Sequence, residues 1–244
     1  MRSERVQHEN PSSGRRYRAV VTDVDGTLTD ASRRLDPAAI SLVRQVEDAG
    51  VPVFLATGNV LPVALALYRS LGLSGAIVAE NGGMLYRRAA DGTEHAERLA
   101  DIRVARKAYR TLVAAGVPAR RLFTDRWRES EIAIEPTVSV AAVRRALRGA
   151  PVNVESTGYA LHLMEKGAGK LPALRRALAE SGLSPADCVI LGDGDNDVAM
   201  LRAAGFGVSF ASASPRARRA ANYVSSASYS EGFVEGLKAS GILA

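Results

Sequence analysis

Val20-Val21-Thr22-Asp23-Val24-Asp25-Gly26-Thr27 is the stretch on which the fold turns. Residues 17–23 are apolar and β-branched until they end in acidic residues, the pattern of a short buried strand. Downstream, Asp36-Pro37 marks a helix start, with Asp as cap and Pro at the first helical position. Ile40, Val43, Val46 and Ala49 keep helical spacing until Gly50 stops the run. Residues 51–56 then read as a second strand, 61–71 as a second helix and 76–79 as a third strand, followed by the turn Asn81-Gly82-Gly83. This βαβαβ rhythm with near-continuous apolar strands predicts a parallel sheet covered on both faces.

The rhythm returns late in the chain. Helices are predicted at 170–181, 197–204, 214–221 and 231–237, and strands at 188–192, 206–209 and 223–224. The segment between differs. Residues 84–88 suit a strand and 101–115 an arginine-rich helix. Glu131-Ile132-Ala133-Ile134-Glu135 alternates like a half-exposed antiparallel strand, and 138–148 suits another helix. Residues 152–154 and 160–163 suit two more strands. The fold class expected is α/β, a doubly wound, Rossmann-like parallel-sheet core with an inserted smaller α+β cap domain. Its expected divisions are a mobile tail at 1–16, a core of 17–83 and 161–244, and a cap of 84–160.

Bulk properties narrow the function. No apolar run approaches the roughly 18 residues of a membrane helix. Residues 1–18 are polar and basic, unlike a secretory signal, so a cytoplasmic location is the default. The one cysteine, Cys188, sits in Cys188-Val189-Ile190-Leu191 and reads as a buried strand residue. The net charge of +6 suits an anionic partner. Yet the basic residues are scattered and one Trp offers no stacking surface, which argues against nucleic acid. The oligomeric state stays open, a homodimer included.

The predicted strands end in polar groups: Asp23 and Asp25, then Thr57-Gly58-Asn59, then Asp193-Gly194-Asp195-Asn196-Asp197. Parallel strands bring such ends to one edge, where ligands bind. Converging carboxylates repel, and a hard cation such as Mg²⁺, with its preference for oxygen, would hold them. A carboxylate beside a bound phosphoryl group can attack phosphorus, and a second can move protons. A calcium loop beginning at Asp193 is excluded, because its sixth and twelfth positions hold Val198 and Ala204 rather than Gly and Glu.

Together these motifs resemble the haloacid dehalogenase superfamily of phosphatases, over about residues 17–230. The resemblance implies Asp23 as nucleophile and Asp25 as general acid/base. It implies Mg²⁺ held by Asp23, the main-chain carbonyl of Asp25, and Asp193, with Asp197 supporting or ligating. Thr57, Gly58, Asn59 and Asn196 would face the phosphate. A phosphate-binding lysine is also implied; Lys166-Gly167 has the family dipeptide, but Lys170 starts the helix where the family lysine sits and is preferred. The position of the insert resembles the α/β-cap branch. Ala56-Thr57-Gly58-Asn59 and Glu80-Asn81-Gly82-Gly83 are similar to the archaeal-type phosphoglycolate phosphatases, where Asn59 replaces the Arg of most relatives. The implied substrate is a small anionic phosphomonoester such as 2-phosphoglycolate. The alternatives are sugar phosphates of the sucrose-phosphate or mannosylphosphoglycerate type, or a non-catalytic anion-binding module. An anionic leaving group would want a cap arginine; Arg126, Arg128 and several others are open, each reading singly as a solvated surface charge. His162, between Leu161 and Leu163, reads as a structural histidine.

Overall fold

The computed structural model describes residues 17–89, 91–157 and 159–243; the expected tail at 1–16 lies outside them. The first half runs β1 (Ala19–Thr22), α1 (Pro37–Asp48), β2 (Val53–Ala56), α2 (Leu61–Leu71), β3 (Ile77–Ala79), β4 (Met84–Arg88) and β5 (Glu94–Arg98). The insert supplies α3 (Ile102–Ala114), β6 (Ile132–Ile134), α4 (Val140–Ala146), β7 (Val152–Ser156) and β8 (Leu161–Glu165). The chain closes with α5 (Lys170–Glu180), β9 (Cys188–Leu191), α6 (Val198–Ala203), β10 (Phe206–Ser209), α7 (Pro215–Ala220), β11 (Tyr223–Val224) and α8 (Tyr229–Ala239).

The large sheet has the order β11-β10-β9-β1-β2-β3-β4-β5. From β11 to β3 every pairing is parallel. Strand alternation explains why both faces are apolar. Val20, Leu55 and Val189 enter one core with α1, α2 and α8, while Val21, Phe54 and Ile190 enter the other against α5. Asp36 caps α1 as expected, its Oδ1 accepting from the backbone N–H groups of Ala38 at 2.7 Å and Ala39 at 3.2 Å. Cys188 is buried in β9, and burial pushes its thiol up to about 12, so it stays protonated.

The strand pairings correct the expected boundaries of the insert at both ends. β4 belongs to the large sheet, antiparallel to β3, and β5 extends that sheet as its edge. Met84, Leu85 and Tyr86 are all buried, which suits continuation of a two-faced core sheet. The exposed, charge-rich β5 has little apolar signal, because its backbone ladder and polar side-chain bonds, such as those of Tyr86 and Arg69 to Glu94, hold it in place. At the other end β8, expected in the core from residue 161, is the middle strand of the three-stranded antiparallel sheet β6-β8-β7. Leu161 and Leu163 point into the core of the insert with α3 and α4, leaving His162 and Met164 on the opposite face. β6 is likewise buried throughout rather than half-exposed, and the adjoining Glu131 is 1% exposed. Among the described residues no helix is long and apolar enough to cross a membrane.

Candidate active site

Parallel packing carries the ends of β1, β2, β3 and β9 to one edge of the sheet. The loops there are laced by backbone bonds: Asp23 N donates to Leu191 O at 3.0 Å, and Asn81 N to Thr57 O at 3.0 Å. Gly26 has φ +81°, and a Cβ there would lie 2.4 Å from Asp193 Oδ2, so the loop after Asp25 passes close to Asp193 only as glycine. Gly82, at φ +97°, packs in the same way onto the start of α5, where a Cβ would come within 2.1 Å of Gly169 O.

Three carboxylates meet at this edge. One oxygen from each of Asp23, Asp193 and Asp197 lies within 4.8 Å of the others. Lys170, 2% exposed, reaches between them from the first residue of α5. Its Nζ donates to Asp23 Oδ1 at 2.9 Å and to Asp197 Oδ1 at 2.7 Å. Burial opposes charge on this ammonium, but Asp197 and Asp23 outweigh it and raise its pKa. One ammonium shared among three carboxylates leaves a negative excess. Burial, abetted by neighbouring carboxylates, accordingly raises Asp23 despite Lys170, and carries Asp193 up to about 7. Buried oxygens that resist ionisation until a positive charge arrives suit a hard divalent cation.

Above this floor opens a cavity of about 870 Å³. Asp23, Asp25, Gly58, Asn59, Asp193 and Asn196 all lie on its wall. Lys170 and Asp197 are buried beneath it. Asp25 is exposed, and Asn59 Nδ2 donates to its Oδ2 at 2.6 Å. The Asp25 carboxylate stands outside the three-carboxylate group. Thr57, 1% exposed, sits behind the wall, its Oγ1 accepting from Asn59 N at 3.0 Å. Asn196 Nδ2 donates to Asn81 Oδ1 at 3.0 Å. Of the two lysines weighed, Lys170 reaches the carboxylates while Lys166 is exposed on the turn after β8.

The insert contributes a second buried polar cluster, in which Arg128 and His162, read singly in the sequence, meet at Glu131. The Glu131 carboxylate accepts from Arg128 Nη1, interacts with His162 Nδ1 at 2.8 Å and accepts from Asn81 Nδ2 at 3.1 Å. Burial works against its charge, but His162 and Arg128 hold its pKa below the usual range. Arg128 Nη1 also donates to Gly58 O at 3.0 Å, tying the insert to the β2 loop. Glu80, held at φ +50°, accepts from the backbone N–H groups of Glu129 and Ser130 and from Ser130 Oγ. Both Arg128 and His162 line the cavity. His162 is therefore buried and hydrogen-bonded, as expected, and stands on the cavity wall as well. Arg126, by contrast, is exposed and lies over the Phe123 ring at 4.3 Å. The missed signal lay in spacing: residues 131 and 133 share the face of β6 opposite its core residues, and Ala133 is the register partner of His162.

Residues 20–120 and 136–237 match the haloacid dehalogenase-like hydrolase family. The chain is 40% identical over 221 residues to a phosphoglycolate phosphatase of Methanothermobacter thermautotrophicus, covering 91% of this chain and 97% of the relative. A phosphoglycolate phosphatase of Methanoculleus marisnigri is 39% identical over 227 residues, covering 91% and 95%. Among solved structures, a Thermoplasma acidophilum protein superimposes with a TM-score of 0.82 at 28% identity, covering 93% of this chain and 99% of that one. A haloacid dehalogenase-like hydrolase from Bacteroides thetaiotaomicron shares the fold with a TM-score of 0.72 at 21% identity, over 93% and 98%.

Proposed function

The chain belongs to the haloacid dehalogenase-like hydrolases, and within that family we propose that it hydrolyses 2-phosphoglycolate to glycolate and phosphate through an aspartyl-phosphate on Asp23, with Mg²⁺ as cofactor. The observation that carries this reading is a Lys170-anchored cluster of Asp23, Asp193 and Asp197 at the floor of a cavity with Asp25 on its wall. The substrate follows from the activity named for the two archaeal relatives.

The donor set fits the metal: three convergent carboxylates of hard oxygen, short of positive charge even with Lys170 bound. Asp23, Asp193 and the main-chain carbonyl of Asp25 would hold it, with Asp197 supporting them. When bound, Mg²⁺ neutralises the phosphoryl oxygens and the carboxylates together.

The residues of the chain divide the remaining work. Lys170 fixes Asp23 through Oδ1, leaving the second oxygen to attack phosphorus. Asp25, open to the cavity and oriented by Asn59, protonates the departing glycolate oxygen. It then takes the proton of the water that hydrolyses the aspartyl-phosphate, so both half-reactions use one carboxyl group. Gly58, Asn59 and Asn196 surround the phosphoryl oxygens, with Thr57 behind the wall holding Asn59 in place. The insert roofs the cavity and excludes bulk water.

A sugar phosphate is the second reading, favoured by a cavity of about 870 Å³, more room than phosphoglycolate needs. A panel of phosphomonoesters separates the two: 2-phosphoglycolate should give the highest kcat/KM. Asp23→Asn should lower kcat roughly a thousandfold or more on every member of that panel; retained turnover would remove Asp23 from the mechanism. A cytoplasmic enzyme without a nucleic-acid partner completes the proposal. Tight, salt-steep DNA binding without phosphatase activity would favour a binding module instead.

A further inference from the structure

The cavity wall carries Arg33, Arg128 and Arg216. Arg33 is exposed and lies 4.3 Å from the Tyr159 ring centroid, and Arg216 is exposed and paired with Asp195 at 3.1 Å. Arg128 differs from both, because its side chain is 3% exposed. Nη1 is taken by Gly58 O and Glu131 Oε1. Nε is buried with no hydrogen-bond partner among the described residues, its nearest carboxylate oxygen, Asp125 Oδ1, standing 3.9 Å away. Buried guanidinium N–H groups are rarely left unused, and this guanidinium borders a cavity.

We propose that Arg128 recognises an anionic group on the substrate's leaving part, so that the enzyme selects short phosphomonoesters bearing a carboxylate close to the ester oxygen. The proposal deepens the phosphatase reading above and rests on it. Position supports it. Arg128 bonds Gly58 O, the next residue is Asn59, and Asn59 Nδ2 bonds Asp25. One residue step and one side chain thus separate the guanidinium from the carboxyl group that protonates the leaving oxygen, a span on the order of 10 Å or less. A two-carbon acid is short enough to bridge such a gap. Charge supports it too. Glu131 already receives Arg128, Asn81 and His162, so its carboxylate orients the guanidinium, whose remaining N–H groups are left for an acceptor. A neutral substituent would leave those donors dry and unpaired, and such sites discriminate most strongly.

The test compares 2-phosphoglycolate with 2-hydroxyethyl phosphate, which has the same length without the charge. Wild type should favour 2-phosphoglycolate in kcat/KM by roughly 10- to 100-fold, the worth of one charge-assisted hydrogen bond. In Arg128→Gln, with a native near-ultraviolet dichroism spectrum, that ratio should fall to within about threefold of unity. In Arg33→Gln and Arg216→Gln, whose side chains are exposed, the preference should persist. A wild-type ratio near one, a ratio retained in Arg128→Gln, or loss of the preference in either exposed variant overturns the assignment. The exposed variants decide the question even where Arg128→Gln fails to fold. Turnover of neither ester by wild type would instead strike at the phosphatase reading itself.

Discussion

Replacing Lys170 with Met removes the one ammonium that holds the carboxylate cluster together while roughly keeping the volume of the stem. Two charge-assisted bonds, of 2.9 and 2.7 Å, disappear with it. Asp23 and Asp197 stay behind at 7% and 0% exposure beside Asp193. Removing one partner of a buried ion pair costs about 3–5 kcal/mol, because the remaining charge is uncompensated. For a chain of this size each kcal/mol shifts the melting temperature by about 2–4 °C, so Lys170→Met should melt roughly 6–20 °C below wild type in EDTA. The pH dependence has a definite sign. The folded-state pKa of Lys170 is raised, so its stabilisation is full below the unfolded value of about 10.4 and is lost only above it. The deficit should therefore be large at pH 8 and shrink toward pH 5, where the abandoned carboxylates take up protons. Excess Mg²⁺ should recover part of it by supplying the missing positive charge. Differential scanning calorimetry with and without metal reads all of this. A melting point within about 2 °C of wild type at pH 8 in EDTA would refute the view of Lys170 as the counter-charge of the cluster.

Other perturbations follow from the same geometry. Asp193, raised to about 7 by burial and Asp197, binds its proton more tightly folded than unfolded. It should make the metal-free protein lose stability as pH rises from about 4 to 7, a slope that thermal melts should find abolished by saturating Mg²⁺. Gly26→Ala places a methyl group against Asp193 at a positive φ; calorimetric titration should show Mg²⁺ affinity weakened at least about tenfold, and unaltered affinity would count against the close approach of this loop. Glu131→Gln leaves Arg128 with the more distant Asp125, at 3.9 Å, as its buried counter-ion and should destabilise the protein by about 3 kcal/mol in urea unfolding.

Much of the site was legible because its carboxylates and the Thr57–Asn59 loop sit where buried strands run out. The apolar run to Thr22 and the later run to Leu191 announce parallel strands; Asp23 follows the first directly and Asp193 the second after Gly192. The large sheet was legible for the same reason, from the two-faced apolarity of Val20-Val21 and Val189-Ile190. The edges of the insert were not. Met84-Leu85-Tyr86 reads equally well as a strand of either sheet, and which one it joins depends on antiparallel pairing with Ile77–Ala79, a tertiary fact. Leu161 to Leu163 was ambiguous in the same way, since the middle strand of a small sheet is as buried as a core strand. Glu131 was read as solvent-facing because alternation with isoleucine gives the same pattern whether the polar face meets water or a buried guanidinium. Arg128 could not be told from Arg126 by spacing. The short 3-10 helix Phe123–Trp127 turns one toward the cavity and leaves the other exposed beside Phe123.

The most direct test of the central claim is chemical identification of the phosphorylated residue. Asp25→Asn enzyme, mixed with Mg²⁺ and p-nitrophenyl phosphate, has an activated leaving group but lacks the carboxylate that delivers water to the intermediate. It should therefore accumulate aspartyl-phosphate. Rapid quench, borohydride reduction and peptide mass spectrometry should then find homoserine at position 23. Homoserine at another aspartate, or a burst of p-nitrophenol with residue 23 unmodified, would contradict the account.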